Sequence, residues 1–222
     1  MNIDLDAPQV GTPRIFKSHE NYDKIPKGGK YIYVVRNPND VCVSFYHFLI
    51  KFVGLDEATI PIDEFIQELF LGTGSVSGKI WHHYLSYFEH RKDGNVLFVF
   101  YEDLISNLEV VIEQIAGFMN IELDDELRAI ALEHSSFSFM KARSSQFDEH
   151  IVFNKCKSRM GLSEHVQNKA EKVNKGQQGA GGSEMTADHH QQLEAQWRNV
   201  FGKATGLNSY QELWQELSPL SL

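Results

Sequence analysis

Cysteine is scarce: Cys42 and Cys156 are the only two in 222 residues, without paired spacing and with no histidine suggestively placed near either. That excludes a disulfide scaffold and a Cys-x-x-Cys metal or redox motif, and points to a reduced compartment with free thiols. Long apolar runs are missing too, since nothing approaches the roughly 20 residues of a membrane span. The opening Met1-Asn-Ile-Asp-Leu-Asp lacks the basic and apolar regions of a signal peptide. The expectation is a cytoplasmic protein with no membrane partner. Positive charge is short as well: 21 Lys and Arg against 30 Asp and Glu leave a formal net charge of −9. This argues against a nucleic-acid partner, but a small phosphate ligand needs only a few local donors. No Gly-x-x-x-x-Gly-Lys-Ser/Thr loop, Gly-x-Gly-x-x-Gly fingerprint or Gly-x-Ser-x-Gly elbow occurs, so those nucleotide and hydrolase chemistries have no motif. The pairs His82-His83 and His189-His190 give no metal site, because neighbours on a helix point about 100° apart. No metal is expected.

What is present alternates between strand and helix. Tyr31–Val35 and Val96–Tyr101 are near-continuous apolar runs of the kind buried parallel strands show, and a third strand is expected at 14–18. Glu20–Gly29 reads as a loop. Helical spacing predicts helices near 38–52, 62–70, 77–92, 104–118, 124–134 and 186–202, while 141–183 reads as loop-rich. Asp124-Asp125 and Glu102-Asp103 read as helix caps. The pattern predicts an α/β fold with a mainly parallel sheet flanked by helices, in one domain over 1–222. With 42% hydrophobic residues the chain can fill one core.

The densest information lies in Lys30–Leu49. A strand ends at Val35, and Arg36 follows at its carboxyl end, where open α/β sheets place ligands. Asn37 can cap the next helix, Pro38 suits its first position, and Asp40 favours its N-terminus. Val41, Phe45, Phe48, Leu49 and Phe52 supply an apolar face, with Ser44 on its edge. A cation, free N–H groups and a hydroxyl together make an anion site.

This segment, Arg36-Asn-Pro-Asn-Asp-Val-Cys-Val-Ser44-Phe-Tyr-His-Phe48, resembles the 3′-phosphate-binding segment of the cytosolic sulfotransferases. Thr12-Pro-Arg-Ile-Phe-Lys17-Ser-His19 is similar to that family's strand ending in Lys-Thr-His. Val99-Phe-Tyr101-Glu-Asp103, Ser135-Ser-Phe137-Ser-Phe-Met140 and Asn174-Lys175-Gly176-Gln-Gln-Gly179 resemble three further family segments in the same order. The resemblance implies the nucleotide-kinase-like sulfotransferase fold and a donor, 3′-phosphoadenosine 5′-phosphosulfate, whose sulfuryl group passes to a hydroxyl or amine. It implies His19 as catalytic base, assisted by Lys17. It also implies Arg36 and Ser44 on the 3′-phosphate, Tyr101, Ser135, Phe137 and Met140 around the adenosine, and Asn174, Lys175 and Gly176 as the closing loop.

The chain departs from the family pattern in places. The family's opening Lys-Ser-Gly-Thr-Thr-type loop has no match, and residues 1–11 fit no family segment, so an N-terminally truncated domain is expected. Losing three phosphate contacts of about 1.5–3 kcal/mol each would weaken donor binding. Asn174 stands where the loop's arginine would be, and Ala180-Gly181 where Asp-Trp would be. The dimer motif is degenerate at Thr186-Ala187, with Gln191 in place of its glutamate, which leaves homodimerisation open. Two readings follow. One is a sulfotransferase acting on a small apolar or phenolic acceptor, a preference suggested by the aromatics around Trp81. The other is a non-catalytic homologue or truncated isoform that binds nucleotide weakly or serves as an interaction module.

Overall fold

The computed structural model describes residues 7–9, 11–56, 59–75, 77–173, 176, 178–179 and 183–220. Among these, the sheet consists of two parallel strands, β1 (Tyr31–Val35) and β2 (Val96–Phe100), in the register Tyr31↔Val96 to Val35↔Phe100. The chain is α/β, with helices packed around this parallel pair. Burial separates the two strands. β2 is buried at four of its five positions, whereas β1 buries Tyr33 and Val35 and leaves Ile32 and Val34 40% and 55% exposed. The apolar run of β1 thus has one covered face and one open one.

The expected strand at 14–18 does not form. A strand needs a partner for its ladder of hydrogen bonds, and β1 pairs only with β2 among the described residues. The Ile15 N–H instead donates to the Gln9 side chain at 2.8 Å, and Ile15 and Phe16 stay exposed.

Helix α1 (Pro38–Phe52) starts as its sequence dictates, with the Asn37 side chain accepting from the Asn39 N–H at 3.0 Å and Pro38 in the first turn. Its buried side is Cys42, Val43, Tyr46 and Ile50, one position off the stripe that periodicity favours. The helix is apolar over most of its circumference, so spacing alone could not choose the face. Burial raises the Cys42 thiol to about 12, so it is an inert packing group.

Next come α2 (Ile62–Glu64, continuing as wider π turns through Phe65–Thr73) and α3 (Ile80–Phe88). The expected helix at 104–118 is divided into α4 (Tyr101–Ser106) and α5 (Leu108–Met119), because Asn107 turns out of helical conformation and caps α5 through the Val110 N–H. Helix α6 (Asp125–Ser135) is capped by Asp124. The region read as loop-rich carries short helices, α7 (Phe137–Ala142), α8 (Ser144–Phe147) and α9 (His150–Cys156). One buried residue, Phe153, anchors α9 edge-on against Phe52; a single anchor leaves no period to read.

Helix α10 (Ala187–Trp197) runs on through Arg198–Gly202 into α11 (Lys203–Thr205), and the chain then forms α12 (Tyr210–Leu217). Thr186 is the N-cap of α10, in a capping box with His189. The core joins Val35 and Phe100 to Trp81, Phe201 and Leu213, each at most 0% exposed. Trp81 lies within this core, edge-on to Phe70 and Trp197, so it cannot line an acceptor pocket.

Candidate active site

Parallel register sets the site. Because Val35 faces Phe100, the next residues, Arg36 and Tyr101, leave the strand ends side by side. The Arg36 guanidinium lies 4.3 Å from the centre of the Tyr101 ring, within cation–π range. Its backbone is held by Tyr84, whose hydroxyl donates to the Arg36 carbonyl at 2.6 Å. Burial raises the Tyr84 pKa, so the phenol keeps this proton. Glu102 fixes the two strand ends together: its carboxylate accepts from the Asn37 N–H at 3.0 Å and from the Tyr210 hydroxyl at 2.5 Å. The neighbouring Asp103 accepts from Trp214 Nε1 and the Ser218 hydroxyl. Both acids are buried. They fasten α12 to the strand end, a larger task than the helix capping expected of them.

From Arg36 an open cleft of about 580 Å³ runs along α1, with the exposed Ser44 on its wall. The same helix that turns Cys42 and Tyr46 into the core turns Val41, Phe45 and Phe48 toward this cleft. The closing loop approaches the near end. The Gly179 N–H donates to Asp40 Oδ2 at 2.9 Å, Asp40 pairs with Arg36 at 3.7 Å, and Gln178 Nε2 donates to the Glu102 carbonyl. Gly176 has φ 60, and a Cβ there would sit 2.4 Å from the Phe137 ring. Glycine is required on both counts. Arg36 thus meets Tyr101 and shares the cleft with Ser44, and Phe137 meets Gly176. Ser135 and Met140 lie on α6 and α7 beside Phe137, although Ser136, not Ser135, caps α7. Asn174, Lys175 and Ala180-Gly181 lie outside the described residues.

Lys17 and His19 form a second group. Lys17 Nζ lies 3.4 Å from Glu149 Oε1, and Lys172 binds the same oxygen. Lys172 also lines the cleft, so it links the two groups. Desolvation, and then the Lys17 ammonium, hold the His19 pKa below 6.5. His19 is thus neutral at pH 7 and able to accept a proton. The Lys17 pKa is also lowered, first by desolvation and then by Lys172.

A further histidine supports His19. His83 Nε2 lies 3.2 Å from the His19 carbonyl oxygen, which can only accept, so this nitrogen carries the hydrogen. His83 Nδ1 then accepts from the Tyr33 hydroxyl at 2.8 Å. Desolvation keeps the His83 imidazole neutral and raises the buried Tyr33 phenol, in agreement with that tautomer. Sequence reading singled out His83 only to dismiss a metal. Its alternation with Tyr84 and Tyr87 on α3 gave no sign of the Tyr33 contact, which depends on the tertiary packing. No group of three metal-ligating side chains occurs among the described residues.

A sulfotransferase domain model matches residues 5–205, and the chain belongs to the sulfotransferase family. It is 36% identical over 143 residues to rabbit (Oryctolagus cuniculus) amine sulfotransferase, a match covering 62% of this chain and 46% of that one. To the luciferin sulfotransferase of Photinus pyralis it is 35% identical over 137 residues, covering 58% and 35%. The chain thus spans about half the length, or less, of these relatives. Among solved structures, mouse sulfotransferase SULT7A1 complexed with PAP superposes with a TM-score of 0.66 at 27% identity, covering 86% of this chain and 66% of that one. No described helix is long and apolar enough to cross a membrane.

Proposed function

We propose that this chain binds the donor 3′-phosphoadenosine 5′-phosphosulfate and supports sulfuryl transfer to a hydroxyl or amine of a small acceptor, whose apolar or phenolic body would lie on Phe45 and Phe48 of the cleft and not on the buried Trp81. The observation that carries this reading is the Arg36–Tyr101 pair at the strand ends, continuous with Ser44 on the cleft wall. The mouse neighbour holds PAP on the same fold, which supports a 3′-phosphorylated nucleotide as ligand. The donor supplies a sulfur–oxygen bond that breaks as the acceptor oxygen attacks sulfur, leaving adenosine 3′,5′-bisphosphate. His19 takes the acceptor's proton, and the ammonium groups of Lys17 and Lys172 offset negative charge on the sulfuryl oxygens.

Calorimetry with adenosine 3′,5′-bisphosphate and adenosine 5′-monophosphate tests the site. The bisphosphate should bind at least about tenfold more tightly, and Arg36→Ala should remove about 2–3 kcal/mol of its binding. Equal affinities, or no binding of either, would overturn the assignment. One observation favours a second, non-catalytic reading: the Lys17 ammonium is already paired with Glu149. Nucleotide binding without transfer from labelled donor to 4-nitrophenol would select it.

A further inference from the structure

The main chain of residues 19–22 lies in no strand, yet side chains of one helix hold three of its polar groups. His83 Nε2 donates to the His19 carbonyl at 3.2 Å, and the Tyr87 hydroxyl donates to the Glu20 carbonyl at 3.1 Å. The Ser86 hydroxyl accepts from the Tyr22 N–H at 3.2 Å. Its own proton goes to the His83 carbonyl at 2.9 Å, so its oxygen faces Tyr22 as an acceptor. Residues 83, 86 and 87 share one face of α3, because helical positions three and four apart are neighbours. Tyr22 is buried edge-on against Tyr87, which seats the segment on that face.

These contacts do what a sheet ladder would otherwise do. The preceding residues 14–18 form no strand, and Ile15 and Phe16 are exposed. All three bonds reach main-chain groups, so they fix where the backbone runs whatever side chains residues 20 and 22 carry. The helix face is itself tied to β1. The Tyr33 hydroxyl donates to His83 Nδ1 at 2.8 Å, and the Tyr33 and Tyr87 rings stack with centres 3.9 Å apart. The next residue on the helix, Tyr84, donates to the Arg36 carbonyl at 2.6 Å. Adjacent residues of α3 therefore hold the backbone of His19 and the backbone of Arg36.

We infer that α3 sets the place of His19 relative to Arg36, with His83, Ser86 and Tyr87 as positioning residues for the base. This rests on the proposed reading of His19 as base and deepens it. The three side chains act through the backbone of 19–22 and not on the reacting atoms. Their effect is on geometry, where a displacement of about 1 Å can cost roughly 100-fold in rate.

Two substitutions at His83 in the full chain provide the test. His83→Gln keeps an amide N–H near the Nε2 position, whereas His83→Leu keeps only bulk. Ser86→Ala and Tyr87→Phe each remove one hydroxyl, and the second leaves the ring stacked on Tyr33. Three readouts are taken: the His19 ring-proton titration by NMR without ligand, transfer from labelled donor to 4-nitrophenol, and calorimetry with adenosine 3′,5′-bisphosphate. In His83→Leu the His19 titration should move up toward 6.5 as its desolvation relaxes. Transfer at saturating donor should fall roughly 10- to 100-fold, while bisphosphate affinity stays within about twofold of the unsubstituted chain. His83→Gln should recover most of both losses, and the hydroxyl variants should shift the titration the same way by less. A His19 titration unmoved in His83→Leu, a Gln variant as impaired as the Leu variant, or a bisphosphate affinity that falls in step with the rate would overturn the inference. Should His83→Leu not fold, the hydroxyl variants decide, and a titration unmoved in both overturns it. Absence of transfer in the unsubstituted chain would defeat the reading of His19 as base, whereas the ligand-free titration still reads its positioning.

Discussion

Desolvation does most to lower the His19 pKa, and four side chains then pull it in opposite directions. Lys17 and Lys172 lower it, while the Glu149 and Glu20 carboxylates raise it. Glu149→Gln should therefore shift the His19 titration, followed by NMR of its ring protons, to still lower pH. A neutral base is needed for transfer, so activity should fall as pH drops through a His19 pKa below 6.5, and the Gln variant should retain activity to lower pH. Stability follows the same sign. The folded chain binds fewer protons than the unfolded one between the lowered value and 6.5, so His19 contributes a stability that rises with pH across that window and is lost toward its acid end. Tyr33→Phe should cost about 1–3 kcal/mol in urea unfolding, because it leaves the half-buried His83 Nδ1 without a donor. The strand end at Arg36 and the cap at Asn37 left local marks in the sequence, whereas Lys17 and His19 were singled out by the family resemblance, since no strand forms at 14–18. Lys51, Lys169, Glu149 and Lys172 were not legible, since Lys51 of α1 meets Lys169 and Lys172 reaches back across α9 to Glu149 only in the folded chain.

At the scale of elements, α12 bears on the site more than its distance in sequence suggests. Its Tyr210 and Trp214, with Ser218 just beyond it, end on Glu102 and Asp103, immediately after the strand that presents Tyr101. Asp103→Ala should strand two donors and cost about 3–4 kcal/mol, with amide exchange in 210–217 accelerating first. This helix had a readable signature that the spacing argument passed over. Ser209 precedes it, its hydroxyl accepts from the Glu212 N–H, and Tyr210, Leu213, Trp214 and Leu217 follow at helical spacing. The expected strand at 14–18 shows the converse: apolar content proposes a strand, and only a neighbour completes one. In the proposed nucleotide site, Gly176 turns at positive φ against the Phe137 ring. Gly176→Ala should weaken bisphosphate binding about tenfold, through a positive φ and the clash with Phe137, and Phe137→Ala in the same chain should recover part of it.

Among the described residues, the parallel sheet and most helices were predictable from alternating strand and helix patterns. The molecule's surface character was less so. Ile15 and Phe16 are exposed, and so are Ile32 and Val34 on the open face of β1, an apolar face prone to pairing. Ile32→Lys/Val34→Lys should reduce concentration-dependent association in sedimentation velocity while changing unfolding free energy by less than about 1 kcal/mol. The register that aligns Val35 with Phe100 carries a different consequence. Arg36 and Tyr101 become neighbours only when β1 and β2 are paired, so the proposed phosphate clamp exists in the folded ensemble and nowhere in the unfolded one. Ligand occupancy and sheet formation are then thermodynamically linked: bisphosphate at 100 times its dissociation constant would stabilise the fold by about 2.7 kcal/mol. A melting curve taken against nucleotide concentration would thus report the pairing of two strands as faithfully as it reports an affinity.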